Sequence, residues 1–416
     1  MGCRLNADKG SSPRARFSSV LDAVRNAVGS FPQSLWAVAA VAFALLSCDD
    51  AERGDGPTGD MPPAAVPEFA LDTIQVIEDE VIWRVSRVRL GEDGRVFAVV
   101  APGEVLVFGA DGTLEHSIGG RGQGPGEFAT TPRDLMIAGD SVYVLDSLIR
   151  RVSLFVGSEF EESWSFRELP GNAERLQPRD DGTITLALME GSSVQGSPPG
   201  PHFYRRPVRV FEAEGSGLDT WTKLFEFPGV ESKVQFLEGG MTRHSSPAFR
   251  TTTHYDLTEA GLIAADQRSG RVWTRAWNGT EHTLLDPPEP VYVSSEELAL
   301  WETRLRDQLA RLRELGQDAE LAEISAYESL DRWEGQIPRP VYSALVTDGR
   351  RIALETYDMR DDVPRDWVVL DLDGSTVGTW TLPANVTLRA MRWPVLAAVA
   401  TDAMDVETIL LLRVRD

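Results

Sequence analysis

The chain has 416 residues, 42% of them hydrophobic, with 64 Asp and Glu against 41 Lys and Arg, a formal charge of -23, and only 2 Cys. That apolar fraction excludes intrinsic disorder for most of the chain and leaves enough material for a large core. The acidity excludes a nucleic-acid surface, which needs Lys and Arg to neutralise phosphate, and so few cysteines exclude a disulfide-built scaffold.

The first segment carries Arg4, Lys9, Arg14, Arg16 and Arg25, followed by an uncharged apolar run from Leu35 to Leu46. Such a run is too short to span a bilayer, which takes about 20 residues. A basic stretch, a short apolar stretch and then small residues predict an export signal over 1–47. The sequence Leu45-Leu46-Ser47-Cys48 resembles the lipobox of bacterial lipoproteins. That resemblance implies a covalent lipid on Cys48, which becomes the first residue after cleavage; an uncleaved signal anchor and a buried structural cysteine are the alternatives. Two or three acyl chains, at about 0.8 kcal/mol per buried methylene, give stable anchorage. Met1-Gly2-Cys3 does not complete a myristoylation motif, because Asn6 stands where Ser or Thr is needed. The basic segment is long for a signal, and Val20, Val24 or Val28 are alternative starts. With 1–47 removed, Cys48 has no cysteine partner. Residues 48–67, rich in Pro, Gly and Asp, read as a flexible tether. The predicted address is the cell envelope, facing the periplasm or exterior, with inner and outer membrane both open.

From residue 68 to 416 short β-rich runs alternate with turn signals, which predicts an all-β domain. Asp93-Gly94 is followed 18 residues on by Asp111-Gly112, Gly139 by Gly157, and Gly261 by Asn278-Gly279. Such turns need positive φ, which glycine adopts freely, and two hairpins at that spacing make four successive strands. The first hairpin glycine recurs at Gly94, Gly139, Gly182, Gly261 and Gly349, the later intervals being lengthened by insertions. A unit of about 40 to 50 residues with four strands is the signature of a propeller blade. The C-terminal run Val386 to Val414 supplies three strands of a sixth unit, and Phe69 to Ile77 is the expected donor of its fourth, closing the ring. The prediction is a six-bladed β-propeller of four-stranded antiparallel blades.

The insertion at 294–330 reads as a helical hairpin. Ser294 and Glu297 form a capping-box pattern, and Leu298, Trp301, Leu305, Leu309 and Leu312 make an apolar stripe. The predicted helices run over 295–315 and 318–329. The stripe is expected to pack on the propeller, with a partner-binding hairpin as the alternative.

The segment Gly119-Gly120-Arg121-Gly122-Gln123-Gly124-Pro125-Gly126-Glu127-Phe128 resembles the bacterial six-bladed β-propeller lipoprotein family, which is related to NHL-repeat proteins. Leu145-Asp146-Ser147 and the run from Ile337 to Gly374 are similar to it too. The resemblance implies a fold and an envelope location, and no particular activity. As chemistry the Gly-rich segment is not a phosphate loop: it lacks the P-loop Lys and Ser or Thr, and no helix pattern follows it. Its glycines are expected to let the chain cross tightly from one blade to the next. Asp146 and Asp266 occupy equivalent places and are expected to fix turns.

Five histidines, at 116, 202, 244, 254 and 282, show no metal-ligand spacing, and no G-x-S-x-G nucleophile turn is present. No cofactor is predicted beyond the lipid. Arg87, Arg133, Arg179 and His254 are expected on the innermost strands, suited either to an anionic ligand or to pairing with neighbouring carboxylates. Of these, Arg87, Arg133 and His254 are the ligand-binding candidates; no catalytic or metal residue is assigned. The leading expectation is a monomeric recognition module for an envelope protein, peptide or glycan, reaching the membrane through its lipid. The alternative is a lactonase- or lyase-type propeller enzyme, which requires at least three Asp, Glu, Asn or His side chains converging in the channel. A purely structural envelope protein is a third reading.

Overall fold

A computed structural model describes residues 66–415 except 80–81, 192–199, 214–219, 237–241, 318 and 334–335. The signal over 1–47, Cys48 and the tether up to residue 65 lie outside the described residues, as does His244 as a side chain. The five recurring hairpin glycines all adopt positive φ, from +60° at Gly139 to +142° at Gly261. Each therefore reverses the chain where the sequence spacing places it.

Strand β1 (Ala70–Ile77) belongs to the last sheet rather than the first. Blade 1 is β2 (Val85–Leu90), β3 (Val96–Val100), β4 (Glu104–Phe108) and β5 (Leu114–Gly119). Blade 2 is β6 (Asp134–Ala138), β7 (Ser141–Asp146), β8 (Arg151–Val156) and β9 (Glu159–Ser165). Blade 3 has five strands, β10 (Asn172–Pro178), β11 (Ile184–Met189), β12 (Gly200–Ala213), β13 (Trp221–Phe236) and β14 (Thr242–Ser245). Blade 4 is β15 (Thr253–Thr258), β16 (Gly261–Asp266), β17 (Val272–Ala276) and β18 (Glu281–Leu285). Blade 5 is β19 (Tyr342–Thr347), β20 (Arg351–Thr356), β21 (Arg365–Asp371) and β22 (Thr376–Leu382). Blade 6 is β23 (Val386–Arg392), β24 (Val395–Thr401), β25 (Glu407–Arg415) and, outermost, β1. All pairings within the blades are antiparallel, and the inner strands β2, β6, β10, β15, β19 and β23 touch in sequence around the axis, with β23 returning to β2.

The protein is thus a six-bladed propeller closed by its N-terminal strand. Blade 3 departs from the four-stranded pattern: β12 and β13 are 14 and 16 residues long, and their projecting ends recruit β14. The 79-residue interval between Gly182 and Gly261 is spent mainly on this hairpin.

The core is divided into six layers, one between each pair of neighbouring blades. Strand β3 shows why its sequence has no polar alternation. Val96, Ala98 and Val100 pack toward blade 6 while Phe97 and Val99 pack toward blade 2, so both faces are buried. The Gly-rich segment makes the predicted crossing from outer strand β5 to inner strand β6. Phe128 is buried at its end against Phe155, and its amide donates to the Gly120 carbonyl at 2.7 Å. Asp146 fixes the adjoining turn, one carboxylate oxygen accepting from the amides of Leu148 and Ile149 and the other from Ala129. Asp266 does the same for Arg268 and Ser269.

Helix α1 (Ser295–Glu314) starts at a complete capping box between Ser294 and Glu297, and α2 (Ala319–Asp331) follows after Gly316. The stripe is used differently from the expectation. Leu305 and Leu309 pack chiefly against Ala319, Ala322 and Ala326 of α2, while Trp301 reaches Phe249 of the propeller at 6.0 Å between rings. Two short helices cover each other's apolar faces, so polar pairs fasten them to blade 3. Lys233, fully buried on β13, donates to the Ser325 carbonyl at 2.9 Å and to Glu328 at 2.6 Å, and Arg332 pairs with Glu231 at 2.7 Å.

The Gly-rich crossing generates a stability prediction. Gly119 has φ of +80°, and a Cβ there would stand 2.1 Å from the Phe128 ring, whereas nothing lies within 4 Å of a Cβ on Gly139. Gly119→Ala is expected to cost roughly 3 kcal/mol and Gly139→Ala about 1 kcal/mol. Urea unfolding of the two variants checks this ordering.

Candidate functional site

A blade's inner strand must alternate between the two neighbouring blades, but curvature around the axis leaves part of it facing the channel. Counting back from each hairpin glycine shows which residues those are. Arg87, Arg175 and His254 stand seven residues before Gly94, Gly182 and Gly261; Arg89, Asp134 and Asp256 stand five residues before Gly94, Gly139 and Gly261. These six side chains converge on the axis.

At their centre Arg89 donates to Asp256 at 3.0 Å, to Asp134 at 3.2 Å and to the Leu135 carbonyl at 3.1 Å. Arg87 Nε lies 3.1 Å from Asp134, off-axis for a hydrogen bond, and Arg175 Nε lies 3.5 Å from Asp256. Asp134, wholly buried, also accepts from the Leu176 amide at 3.1 Å. Blades 1 to 4 are therefore tied by one ionic network. Burial disfavours the charge on Asp256, but Arg89 and Arg175 overcome it and hold the carboxyl at about 2. The same contacts push Arg89 upward against its own burial.

Cavities lie at the two ends of this network. One, of about 410 Å³, opens where the inner strands begin and is lined by Arg87, Arg175, Arg365, Arg389, His254, Asp256, Glu355 and apolar side chains of β19 and β23. The other, of about 730 Å³, opens at the hairpin ends and includes Glu92, Asp93, Asp140, Asp180, Glu259 and Asp348 among its walls. Asp256 reaches both. The two mouths differ in sign. Four arginines face two carboxylates in the smaller cavity, and the seven carboxylates of the larger outnumber its five arginines.

The smaller cavity holds its cations under strain. Burial, and then Arg175, push Arg87 down to about 10 despite the opposing pull of Asp134. Burial likewise lowers Arg389, with Glu407 pulling the other way, and its Nε has no hydrogen-bond partner. Burial raises the Glu355 carboxyl against a hydrogen bond from Ser343 at 2.9 Å. His254 is pushed down to about 4 by burial and by Arg175, so it is neutral at neutral pH, and its buried Nε2 has no partner. The arrangement is suited to accepting an anion: donors are gathered, partly desolvated and short of carboxylates.

Of the residues singled out in the sequence, Arg87 and His254 line this cavity together. Arg133 stands one residue before β6, its side chain 54% exposed and paired with Glu174. It sits at the same end of the blades, on the rim. Arg179 lies past the end of β10, at the opposite mouth, paired with Asp181 at 2.8 Å and Glu212 at 3.1 Å. Arg133 precedes the first residue of β6 and Arg179 follows the last residue of β10, so both lie in connecting segments. Sequence reasoning missed Arg89, Arg175, Asp134, Asp256, Arg365 and Arg389. Four of them carry the five- or seven-residue offset, which was available; Arg365 lies on β21 and Arg389 in a unit without a hairpin glycine. Among the described residues, no group of three His, Cys, Asp or Glu gathers as a metal site. No helix among them is long and apolar enough to cross a membrane.

With this geometry in view, comparison with known proteins agrees on the fold. Residues 74–156, which span the Gly-rich segment, match a family model described as a 6-bladed beta-propeller. The likeness to six-bladed propellers read from that segment therefore holds in both sequence and structure. No curated protein matches the chain in sequence. Among solved structures, a Bacteroides fragilis protein conjectured to be exported is 10% identical, with a TM-score of 0.48, covering 86% of this chain and 98% of its own. A catalytically inactive virginiamycin B lyase from Staphylococcus aureus with quinupristin is 9% identical, with a TM-score of 0.43, covering 83% and 99%. At such identity each is similar in backbone path alone.

Asp256 provides a pH-dependent prediction. Its carboxyl is depressed from an ordinary 3.8 to about 2, so its stabilising contribution is complete above roughly pH 4 and is lost as the pH falls through 4 toward 2. Asp256→Asn leaves Arg89 and Arg175 undercompensated and is expected to cost about 3 kcal/mol at neutral pH. The variant should also show a flatter loss of stability across that acid range, measurable by thermal melts at a series of pH values.

Proposed function

We propose that this chain is a lipid-anchored propeller of the cell envelope that recognises an anionic group on a protein, peptide or glycan ligand. Its recognition site is the smaller mouth of the channel. The observation that carries this reading is the sign of that cavity: four arginines against two carboxylates, within a chain of net charge -23. An acidic exterior with a cationic recess disfavours extended polyanions and admits a single charged group. The envelope address rests on the sequence Leu45-Leu46-Ser47-Cys48 and the basic and apolar stretches before it.

The site is tested by calorimetric titration of the full-length protein with inorganic phosphate and with acetate. Saturable binding is expected, weakened about tenfold or more in Arg87→Gln and in Arg389→Gln, since each removes a charge-assisted contact. No heat from either anion, or equal affinity in both variants, overturns the reading. The anchor is tested separately: Cys48→Ser should move the protein from the membrane pellet to the soluble fraction, and intact mass should show the acyl chains on Cys48.

A further inference from the structure

Asp256 and, beyond it, Arg89 and Asp134 stand at the inner end of the smaller cavity. A mid-chain loop entering this cavity needs room for two strands. A ligand that presents its anion at a chain end needs room for only one.

The same end of the blades also carries exposed apolar side chains. Trp83 stands two residues before β2 and four before Arg87, its side chain 75% exposed. The turn between β24 and β25 is at this end of blade 6, and it carries Met404, 80% exposed, and Val406. Glu407, the first residue of β25, accepts from the Val85 amide, which brings this turn beside the Trp83 segment. Leu148, in the turn after β7, is exposed at the same end. Strands rise about 3.3 Å per residue, so Trp83 stands within about 13 Å of Arg87 along the chain. An exposed indole, a thioether and two aliphatic side chains thus lie on blades 6, 1 and 2 at the same end as the arginine-lined recess. Thioether and aliphatic groups fit varied apolar side chains.

From this juxtaposition we infer that the ligand is the carboxy-terminal end of a polypeptide with apolar final residues. Its terminal carboxylate lies in the recess against Arg87 and Arg389, and the side chains preceding it lie on Trp83, Leu148, Met404 and Val406. A planar carboxylate matches the guanidinium fork, and capture of a chain end needs no more room than the recess provides. This inference rests on the proposed anion-recognising mouth and adds to it the identity of the anion's bearer.

The experiment uses the full-length protein in a nonionic detergent and an amino-terminally fluorescein-labelled, otherwise uncharged decapeptide with four apolar residues at its end. It is measured by fluorescence anisotropy as the free acid and as the carboxy-terminal amide. The free acid is expected to bind about tenfold or more tightly than the amide. Arg87→Gln and Arg389→Gln are each expected to remove that preference. Trp83→Ala combined with Met404→Ala is expected to weaken both peptides by a similar factor and keep the preference. Melting curves confirm that each variant is folded, and a misfolded arginine variant is replaced by the other. Equal binding of acid and amide, or indifference to the rim substitutions, overturns the inference. If acetate and phosphate bind while the two peptides are not distinguished, the chain-end inference falls and anion recognition stands. If neither small anions nor peptides bind, both fall.

Discussion

The pairing of β1 with β25 is the constraint on which the rest of the molecule depends. Ala70 aligns with Arg415 and Ile77 with Ile409, so strands from the two ends of the chain share one sheet. A ring of sheets with no such join would leave the last blade short of a strand and two neighbouring edges open to other chains. Closure is reinforced across the blade boundary. Phe69 and Thr379 bond through the backbone at 2.7 Å, and the Phe69 ring fills the space above Gly378, where a Cβ would stand only 2.2 Å away. With the ring closed, each of the six core layers is enclosed by a blade on either side, and no blade has to be stable alone.

Closure also forces a chemistry on the axis. Six inner strands brought together cannot all present apolar side chains to a space that narrows and then opens to water at both ends. Charged residues at fixed offsets from the hairpin glycines meet there instead, and each is made tolerable by an opposite charge from another blade. Asp134 and Asp256 are satisfied by arginines of blades 1 and 3 and by backbone amides, so their burial depends on the neighbouring blades being in place. The network therefore acts both as a rivet between blades and as the floor of the arginine-lined recess. The excess of arginine among the residues above that floor gives this mouth a sign opposite to that of the acidic mouth.

The architecture was legible because it is written in periodic, local signals. Glycine in a two-residue reversal has a conformational meaning wherever it occurs, and the repeated spacing of Gly94, Gly139 and Gly182 converts that meaning into blades. The capping box at Ser294 and Glu297 set the start of α1 for the same reason. Other features resisted because they depend on partners distant in sequence. The apolar stripe of α1 announced a buried face and not its partner, and α2 supplied most of it. The fifth strand of blade 3 follows from the length of β12 and β13, whose projecting hairpin needs an edge partner. Arg133 and Arg179 looked like channel residues because the strands were assigned from turn spacing, and a shift of one or two residues moves a side chain from the axis to a rim.

The sequence by itself determined the number of blades, the closing strand and the general acidity, since each is carried by neighbouring residues or by composition. Tertiary structure alone decided which charges meet. Arg89 and Asp256 are separated by 167 positions and become partners only because the first and fourth blades share an axis. Coulombic pairing depends on distance in space, and nothing in a linear string records that distance until the ring has closed.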